Sequence, residues 1–178
     1  MEDDEELAER LGGELCECLN EGSDGISAFD QALMATFNYM IGNEDWSLPM
    51  VRNLKMVKPA NGEKIIPVAY DFDFSGLVSA VYALPDSDLN QRHVKDRDYL
   101  GQAVSPEVFR QVISTYLTKK PELYAFLSRY KWLNPQEKAE IRLYLDSFYN
   151  LLERVPENVG ILPMYRFTSP AETGFSGN

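Results

Sequence analysis

Three aspartates and an asparagine form the densest group of polar chemistry in this sequence. Asp45 and Asn53 lie eight residues apart, and Asp71 and Asp73 follow on either side of a phenylalanine. Carboxylate and amide oxygens suit Mg²⁺ or Mn²⁺, which keep several waters and take one or two protein carboxylates together with substrate phosphates. These residue types therefore predict a divalent-cation site, provided that the fold brings them together.

A helix is predicted immediately before Asp45. Apolar residues recur with a helical period at positions 29, 32, 33, 36, 37 and 40. Ser27 and Asp30 are placed as a capping box at its start, and Gly42 is suited to a left-handed cap at its end. The carboxylate of Asp45 should then lie just past the carboxyl end of this helix.

A β-hairpin is predicted between Asn53 and the two later aspartates. Residues 53–57 and 65–70 are β-like runs, and the Asn61-Gly62 pair between them favours a type I′ turn. The first strand starts at Asn53 and the second ends at Asp71, so the hairpin places these residues at one end. They should also lie near Asp45 if the intervening loop folds back.

The rest of the chain reads as mainly helical. Leucines every four residues predict one amphipathic helix over 2–21, with a possible break at Gly12-Gly13. Three further helices are predicted over 105–117, 121–130 and 134–155. The expected fold class is mainly α with a small β-hairpin, an α+β fold.

A single domain is expected over residues 1–155, with the polar motifs in 1–104 and a helical packing half in 105–155. With 178 residues and 44% apolar side chains, the chain is long enough to bury a core. Residues 156–178 contain chain breakers and small polar residues, and an irregular tail is predicted there.

A net charge of −11 disfavours binding to nucleic acids or anionic membranes, which need basic surface. The sequence shows neither an apolar run long enough to span a membrane nor a signal peptide, so a cytoplasmic location is expected.

Cys16 and Cys18 are close together in sequence and are predicted to be free thiols, while His93 is predicted to be a loop or surface residue.

The order of these parts resembles the catalytic lobe of protein-kinase-like folds. The segments IGNEDWS, RN at 52–53 and PVAYDFDFSGLVSAVYA are similar to those of atypical kinase-like proteins related to the spore-coat CotH kinases, and more distantly to the HipA group. The similarity covers roughly residues 1–101 and also includes EDDEELAERLGG and DRDYLG.

The resemblance implies a role for each polar residue. Asp45 would orient or deprotonate the attacking hydroxyl, Asn53 and Asp71 would hold Mg²⁺ or Mn²⁺, and Asp73 would add a metal ligand where kinases with DFG have glycine. It further implies ATP as the nucleotide, an unknown phosphate acceptor, and contact of the nucleotide with two residues near the catalytic aspartate, Asn43 and Arg52.

Two features depart from the family pattern. The interval from Asp45 to Asn53 is longer than the five-residue step of ordinary kinases, and Arg52 replaces the histidine that relatives commonly have before the asparagine.

Residues 86–101 occupy the place of a loop that governs substrate access, although a solvated connector is an equal alternative. Basic residues in this segment are candidates for meeting phosphate: Arg92, Lys95 and Arg97.

Three functions are compatible with the sequence. The first is metal-dependent phosphoryl transfer by a lobe that is incomplete in this chain, because no glycine-rich phosphate loop or strand lysine precedes residue 27. The second is a non-catalytic binding or scaffold module that retains the kinase-like lobe, in which the aspartates cap turns. The third is metal-assisted hydrolysis at the Asp71 and Asp73 pair.

Overall fold

The structure is a computed structural model, and it describes residues 3–18, 24–85 and 91–154. Four helices and three strands follow one another within these ranges: α1 (Asp4–Arg10), β1 (Gly13–Leu15), α2 (Ala28–Ile41), β2 (Leu54–Pro59), β3 (Ile66–Ala69), α3 (Pro106–Arg129) and α4 (Pro135–Glu153). The predicted mainly helical α+β class is confirmed. The predicted tail, 156–178, lies outside the described residues.

The sheet is antiparallel with the strand order β1-β2-β3. Leu54 pairs with Ala69 and Val57 with Ile66, so the predicted hairpin is confirmed, although both strands begin one residue later than predicted. The predicted type I′ turn is wrong. The N–H of Gly62 donates to the carbonyl of Pro59 at 3.2 Å, and Gly62 alone in this turn has positive φ, whereas a type I′ turn needs two such residues.

The amino-terminal segment differs from the single helix predicted over 2–21. Helix α1 ends at Arg10, because the Gly12-Gly13 pair is a poor helix former. Residues 13–15 instead form β1 and pair with 57–59 of β2, covering a strand edge that would otherwise be open. Residues 19–21 of the predicted helix lie outside the described residues.

Cys16 and Cys18 are joined by a disulfide, so the prediction of free thiols is wrong. The two Cα atoms lie 5.2 Å apart, which is within the usual range for a disulfide. Sequence spacing failed here because the backbone bends after β1, so that the two Cα atoms lie closer than the roughly 6.6 Å that two extended residues span. This backbone brings the two side chains together.

Helix α2 forms as predicted and runs through the core. The Ser27 side chain accepts from the Asp30 N–H at its start, and Gly42 caps its end with φ of 67°. A buried apolar cluster runs from Ile26 to Leu152 and joins α2, β2, α3 and α4. The helix that carries the Asp45 loop is thus fixed along its whole length.

Helix α3 is continuous, whereas two helices separated at Pro121 were predicted. Proline removes one backbone donor and crowds the preceding turn, at a cost of about 3 kcal/mol. Packing on both sides of the proline offsets this cost. Val112 and Ile113 are buried before it, and Leu123 and Leu127 pack against the same core after it. The predicted helix over 134–155 is confirmed as α4, with Asn134 as its amino-terminal cap.

Candidate functional site

The loop that follows α2 is built around the buried side chain of Asn43. Asn43 is 1% exposed, and its amide donates to Asn38 Oδ1 at 2.8 Å. Its own oxygen accepts from the N–H of Asp45 at 3.2 Å. Both functions of this amide are therefore used inside the protein, and the geometry favours a role in ordering the loop over the predicted contact with a nucleotide.

A closed turn occupies the long interval between Asp45 and Asn53. Ser47 and Arg52 form a two-way backbone pair, with N to O distances of 3.1 and 3.0 Å. Val51 inside this turn has φ of 50°, a left-handed conformation that a β-branched residue rarely adopts. The extra residues are looped out, so the chain returns to Asp45 despite the departure from kinase spacing.

Asn53 contacts Asp45 directly. Its side-chain Nδ2 donates to the backbone carbonyl of Asp45 at 2.6 Å and to Asp45 Oδ2 at 2.9 Å. The other carboxylate oxygen of Asp45 faces Arg52 Nε at 3.4 Å, in a pair whose side chains are 37% and 50% exposed. The structure thus brings together three of the predicted site residues, Asp45, Arg52 and Asn53.

A backbone hydrogen bond of the hairpin brings Asp71 close to Asn53. The N–H of Tyr70 donates to the carbonyl of Asn53 at 3.1 Å, so the residue before Asp71 lies beside the asparagine. Asn53 and Asp71 both adopt left-handed backbone conformations, with φ of 53° and 58°. Non-glycine residues in this region often mark turns or functional sites, and asparagine and aspartate tolerate it best.

Asp71 and Asp73 form an interacting pair of carboxylates. A hydrogen bond with Asp73, followed by the charge of Asp73, raises the pKa of Asp71 above the usual range of an aspartate, and the charge of Asp45 adds to the shift. Asp73 also accepts a hydrogen bond from the Tyr82 hydroxyl at 2.8 Å. Asp71 is exposed to solvent and Asp73 is half-buried.

These oxygens form an open partial site rather than a closed cage. Within residues 3–18, 24–85 and 91–154, no three or more His, Cys, Asp or Glu side chains are grouped so that they could hold a metal ion. Two neighbouring carboxylates and one amide oxygen are nevertheless a donor set that fits Mg²⁺ or Mn²⁺, because these ions retain waters and bind substrate phosphate. The residues that would hold such an ion are Asn53, Asp71 and Asp73.

A cleft of about 260 Å³ opens beside Asp45. Asp45 and Arg52 supply one carboxylate and one guanidinium to its lining, and Phe74 and Leu84 supply apolar surface. The cleft is small compared with drug-sized ligand sites, which run from roughly 300 to 1,000 Å³. It has room for a small polar group, such as a hydroxyl-bearing acceptor, next to the aspartate.

Arg97 is engaged by protein acceptors, which favours a structural role over the predicted contact with phosphate. Its guanidinium donates to the carbonyl of Met40 at 3.1 Å, to the carbonyl of Tyr144 at 2.7 Å and to the hydroxyl of Ser147 at 2.7 Å. It also stacks on the Tyr144 ring at 3.9 Å from the centroid. Arg97 therefore ties the end of α2 to α4.

The other members of the predicted basic cluster are exposed. Asp96 accepts from the backbone N–H groups of Arg92 and His93, both at 2.9 Å, which forms a tight turn on the surface. The predicted surface position of His93 is confirmed. Residues 86–90 of the predicted access loop lie outside the described residues.

Two residues near the site had no signal in the sequence. Glu44 is buried, and its Oε1 accepts from the N–H of Asp98 at 2.8 Å. Tyr82 reaches Asp73 from nine residues away. Neither contact follows from periodicity or a motif, because both depend on how irregular segments fold over the end of α2.

Comparisons with protein-family models, curated protein sequences and solved structures returned no significant match. Across the part of the chain that the structure describes, none of the helices combines the length and apolar character needed to cross a bilayer.

Proposed function

We propose that this chain carries out divalent-cation-dependent phosphoryl transfer at the site formed by Asp45, Asn53 and Asp71. The contact that supports the proposal is the Asn53 side chain, whose amide nitrogen donates to the carbonyl and the carboxylate of Asp45. Because the nitrogen makes both contacts to Asp45, the amide oxygen is the atom of Asn53 that would bind a cation. The bond from the Tyr70 N–H to the Asn53 carbonyl places Asp71 one residue from this pairing. One residue thus couples the acceptor-orienting aspartate to the cation ligands.

Each residue then has a defined part in the reaction. Bound Mg²⁺ or Mn²⁺ would neutralise charge on the transferred phosphate, which is the main electrostatic requirement of phosphoryl transfer. Asn53, Asp71 and Asp73 would hold the ion through one amide oxygen and two carboxylates. Asp45 lies at the cleft, where its carboxylate can orient a hydroxyl and accept its proton.

The guanidinium of Arg52 lies within ion-pair distance of the Asp45 carboxylate in this arrangement. It can also turn towards a phosphate oxygen at the mouth of the same cleft, since half of its side chain is exposed. ATP is the proposed nucleotide. A second lobe encoded outside this sequence would be the natural means of clamping it.

The test is Mn²⁺ and Mg²⁺ binding measured by calorimetry on residues 1–178 and on the variant Asp71→Asn. Asparagine keeps the left-handed backbone at this position but removes the charge, so we expect binding to weaken by at least about tenfold with little change in stability. Glu63→Gln, at the far end of the hairpin, is the matched control and should bind as the parent does. ATP turnover is measured alongside and is expected at background unless a second lobe is added.

A non-catalytic binding module is the second candidate, and one observation favours it. Both carboxylate oxygens of Asp45 already face protein donors, Asn53 Nδ2 and Arg52 Nε. An aspartate held in this way can have a purely structural role, in which it orders the loop. If Asp71→Asn unfolds the protein and leaves cation affinity unchanged, the aspartates are structural and this second function takes precedence.

A further inference from the structure

An apolar groove lies between α2, α3 and β3, away from the proposed cation site. It encloses about 520 Å³ and is bordered on one side by Phe37 of α2 and on another by Tyr116 of α3. The whole of β3, Ile66–Ala69, lines it, together with Phe72. A groove of this size and apolar character suits an extended apolar segment.

The groove runs along an open strand edge. In an antiparallel strand, successive residues direct their backbone polar groups to opposite sides. The Tyr70 N–H points to Asn53 next to β2, so the backbone groups of Ala69 and Pro67 point outward. The backbone groups of Ile65 also point outward, and they pair with residues 25 and 27. No described residue bonds to the Ala69 N–H.

The chain that leaves α4 starts beside this groove. Lys120 of α3 pairs with Glu153 in the last turn of α4, and Lys119 and Tyr116 on the neighbouring face of α3 line the groove. Tyr116 also packs on Phe148 of α4, with ring centroids 5.6 Å apart. The end of α4 and the groove therefore lie on adjacent sides of a single helix.

The sequence after α4 contains a segment of matching chemistry. Residues 161–167 read ILPMYRF and hold five apolar or aromatic side chains out of seven positions. Six residues lie between Arg154 and Ile161, and the seven Cα–Cα steps allow a reach of about 23 Å. This exceeds the roughly 6 Å along α3 between Lys120 and Tyr116, at 1.5 Å per residue.

We propose that residues 161–167 of the same chain bind in this groove as an extended segment, pairing with the outer edge of β3. Backbone bonds to Ala69 would supply affinity, and alternate side chains would enter the groove, as in other cases of strand addition. Pro163 fits such an edge position, because an outermost strand tolerates a residue without a backbone donor. The inference is independent of the cation site.

The test uses the full chain and hydrogen exchange at the Ala69 amide. We expect this amide to be protected in the parent and to exchange at least about tenfold faster in the double variant Leu162→Asp/Tyr165→Asp. Phe175→Asp is the matched control, because it introduces the same acidic change into the carboxy-terminal region outside the segment, and it should leave the exchange rate unchanged. Equal exchange in the parent and in the double variant overturns the proposal.

Photo-crosslinking identifies the occupant of the groove directly. A benzophenone amino acid replaces Thr115, which lines the groove, in a mixture of ¹⁴N-labelled and ¹⁵N-labelled protein. Crosslinks from position 115 to residues 161–167 within one isotope population support the proposal. Crosslinks that join the two isotopes show a second copy in the groove, and crosslinks elsewhere or none at all show another occupant or an empty groove; each of these results overturns it.

Discussion

The backbone N–H of Gly76 donates to the carbonyl of Gly42 at 2.9 Å. This bond, with the neighbouring one from Leu77 to Ile41, also 2.9 Å, joins the end of α2 to the segment that follows Asp73. The loop that carries Asp45 therefore starts at the same fixed point at which the segment that carries Asp71 and Asp73 ends. The geometry of the candidate site depends on this junction.

Gly42→Ala should destabilise the protein by about 2–4 kcal/mol, as measured by urea unfolding. Two effects combine, because alanine is strained at φ of 67° and its Cβ would overlap the Tyr144 hydroxyl. Gly62→Ala is the control for the first effect alone, since Gly62 has φ of 78° but open space around it. That variant should lose only about 1 kcal/mol.

A double variant separates strain from overlap. Tyr144→Phe removes the hydroxyl that a Cβ at position 42 would meet, so Gly42→Ala should cost less in the Tyr144→Phe background by more than about 1 kcal/mol. Equal costs in the two backgrounds would show that the backbone conformation, and not the close approach to Tyr144, requires glycine at position 42.

Cation affinity should depend on pH through Asp71. Its pKa is raised by Asp73, so the proton competes with the cation at higher pH than for an isolated aspartate. Affinity should be constant at neutral pH and fall by about tenfold per pH unit once the pH drops below this raised pKa. Asp73→Asn should move the midpoint of the calorimetric titration to lower pH.

In the metal-free protein, the contribution of this carboxylate pair to folding stability should decrease as the pH rises, whereas cation affinity increases. The folded-state pKa of Asp71 lies above its unfolded value, so the hydrogen bond between the two carboxyl groups stabilises the fold at low pH. That contribution is lost as the pH rises through the folded-state pKa. Thermal unfolding of the parent and of Asp73→Asn in a chelating buffer measures the difference, which should vanish if the carboxylates do not interact.

Asn53→Asp should remove the contact with Asp45 and lower the unfolding free energy without straining the backbone. Aspartate accepts φ of 53° almost as readily as asparagine, but it cannot donate to Asp45 and brings a second charge against that carboxylate. We expect a loss of about 1–3 kcal/mol in unfolding free energy. Asn53→Gly, which suits the backbone and adds no charge, should lose less, and a larger loss for glycine would contradict the electrostatic explanation.

Arg97→Lys should cost about 2–3 kcal/mol in unfolding free energy despite conserving the charge. One ammonium group cannot reach the Met40 carbonyl, the Tyr144 carbonyl and the Ser147 hydroxyl together, as the guanidinium does. Arg92→Lys on the exposed turn is the comparison and should stay within about 0.5 kcal/mol of the parent. Similar costs for both would show that Arg97 is a surface charge.

Local signals predicted the elements of the fold well. The cap at Ser27, the glycine at position 42 and the two β-like runs of the hairpin each act within a few residues, and the structure follows them. Strand β1 and the continuous α3 were missed, because each depends on a distant partner. Strand β1 needs the edge of β2, and Pro121 is tolerated only because both halves of α3 pack on the core.

The site was predictable in part for the same reason. The hairpin placed Asn53 near Asp71 from sequence alone, and the structure shows this neighbourhood. The return of Asn53 to Asp45 depends on the closed turn between Ser47 and Arg52, for which no local signal was recognised. The structural contacts of Arg97 could not be predicted, because its partners lie 47 to 57 residues away in sequence.

Helices α3 and α4 form a long antiparallel hairpin, and Pro121 of α3 divides it into two regions that should differ in how readily they unfold. The buried residues of α3 all precede Pro121, and those of α4 all follow position 144. The distal end of the hairpin, around the turn between the two helices, is thus held mainly by local helix bonds and partly exposed contacts. This end should open by itself in sub-global fluctuations, while the proximal turns exchange only with global unfolding.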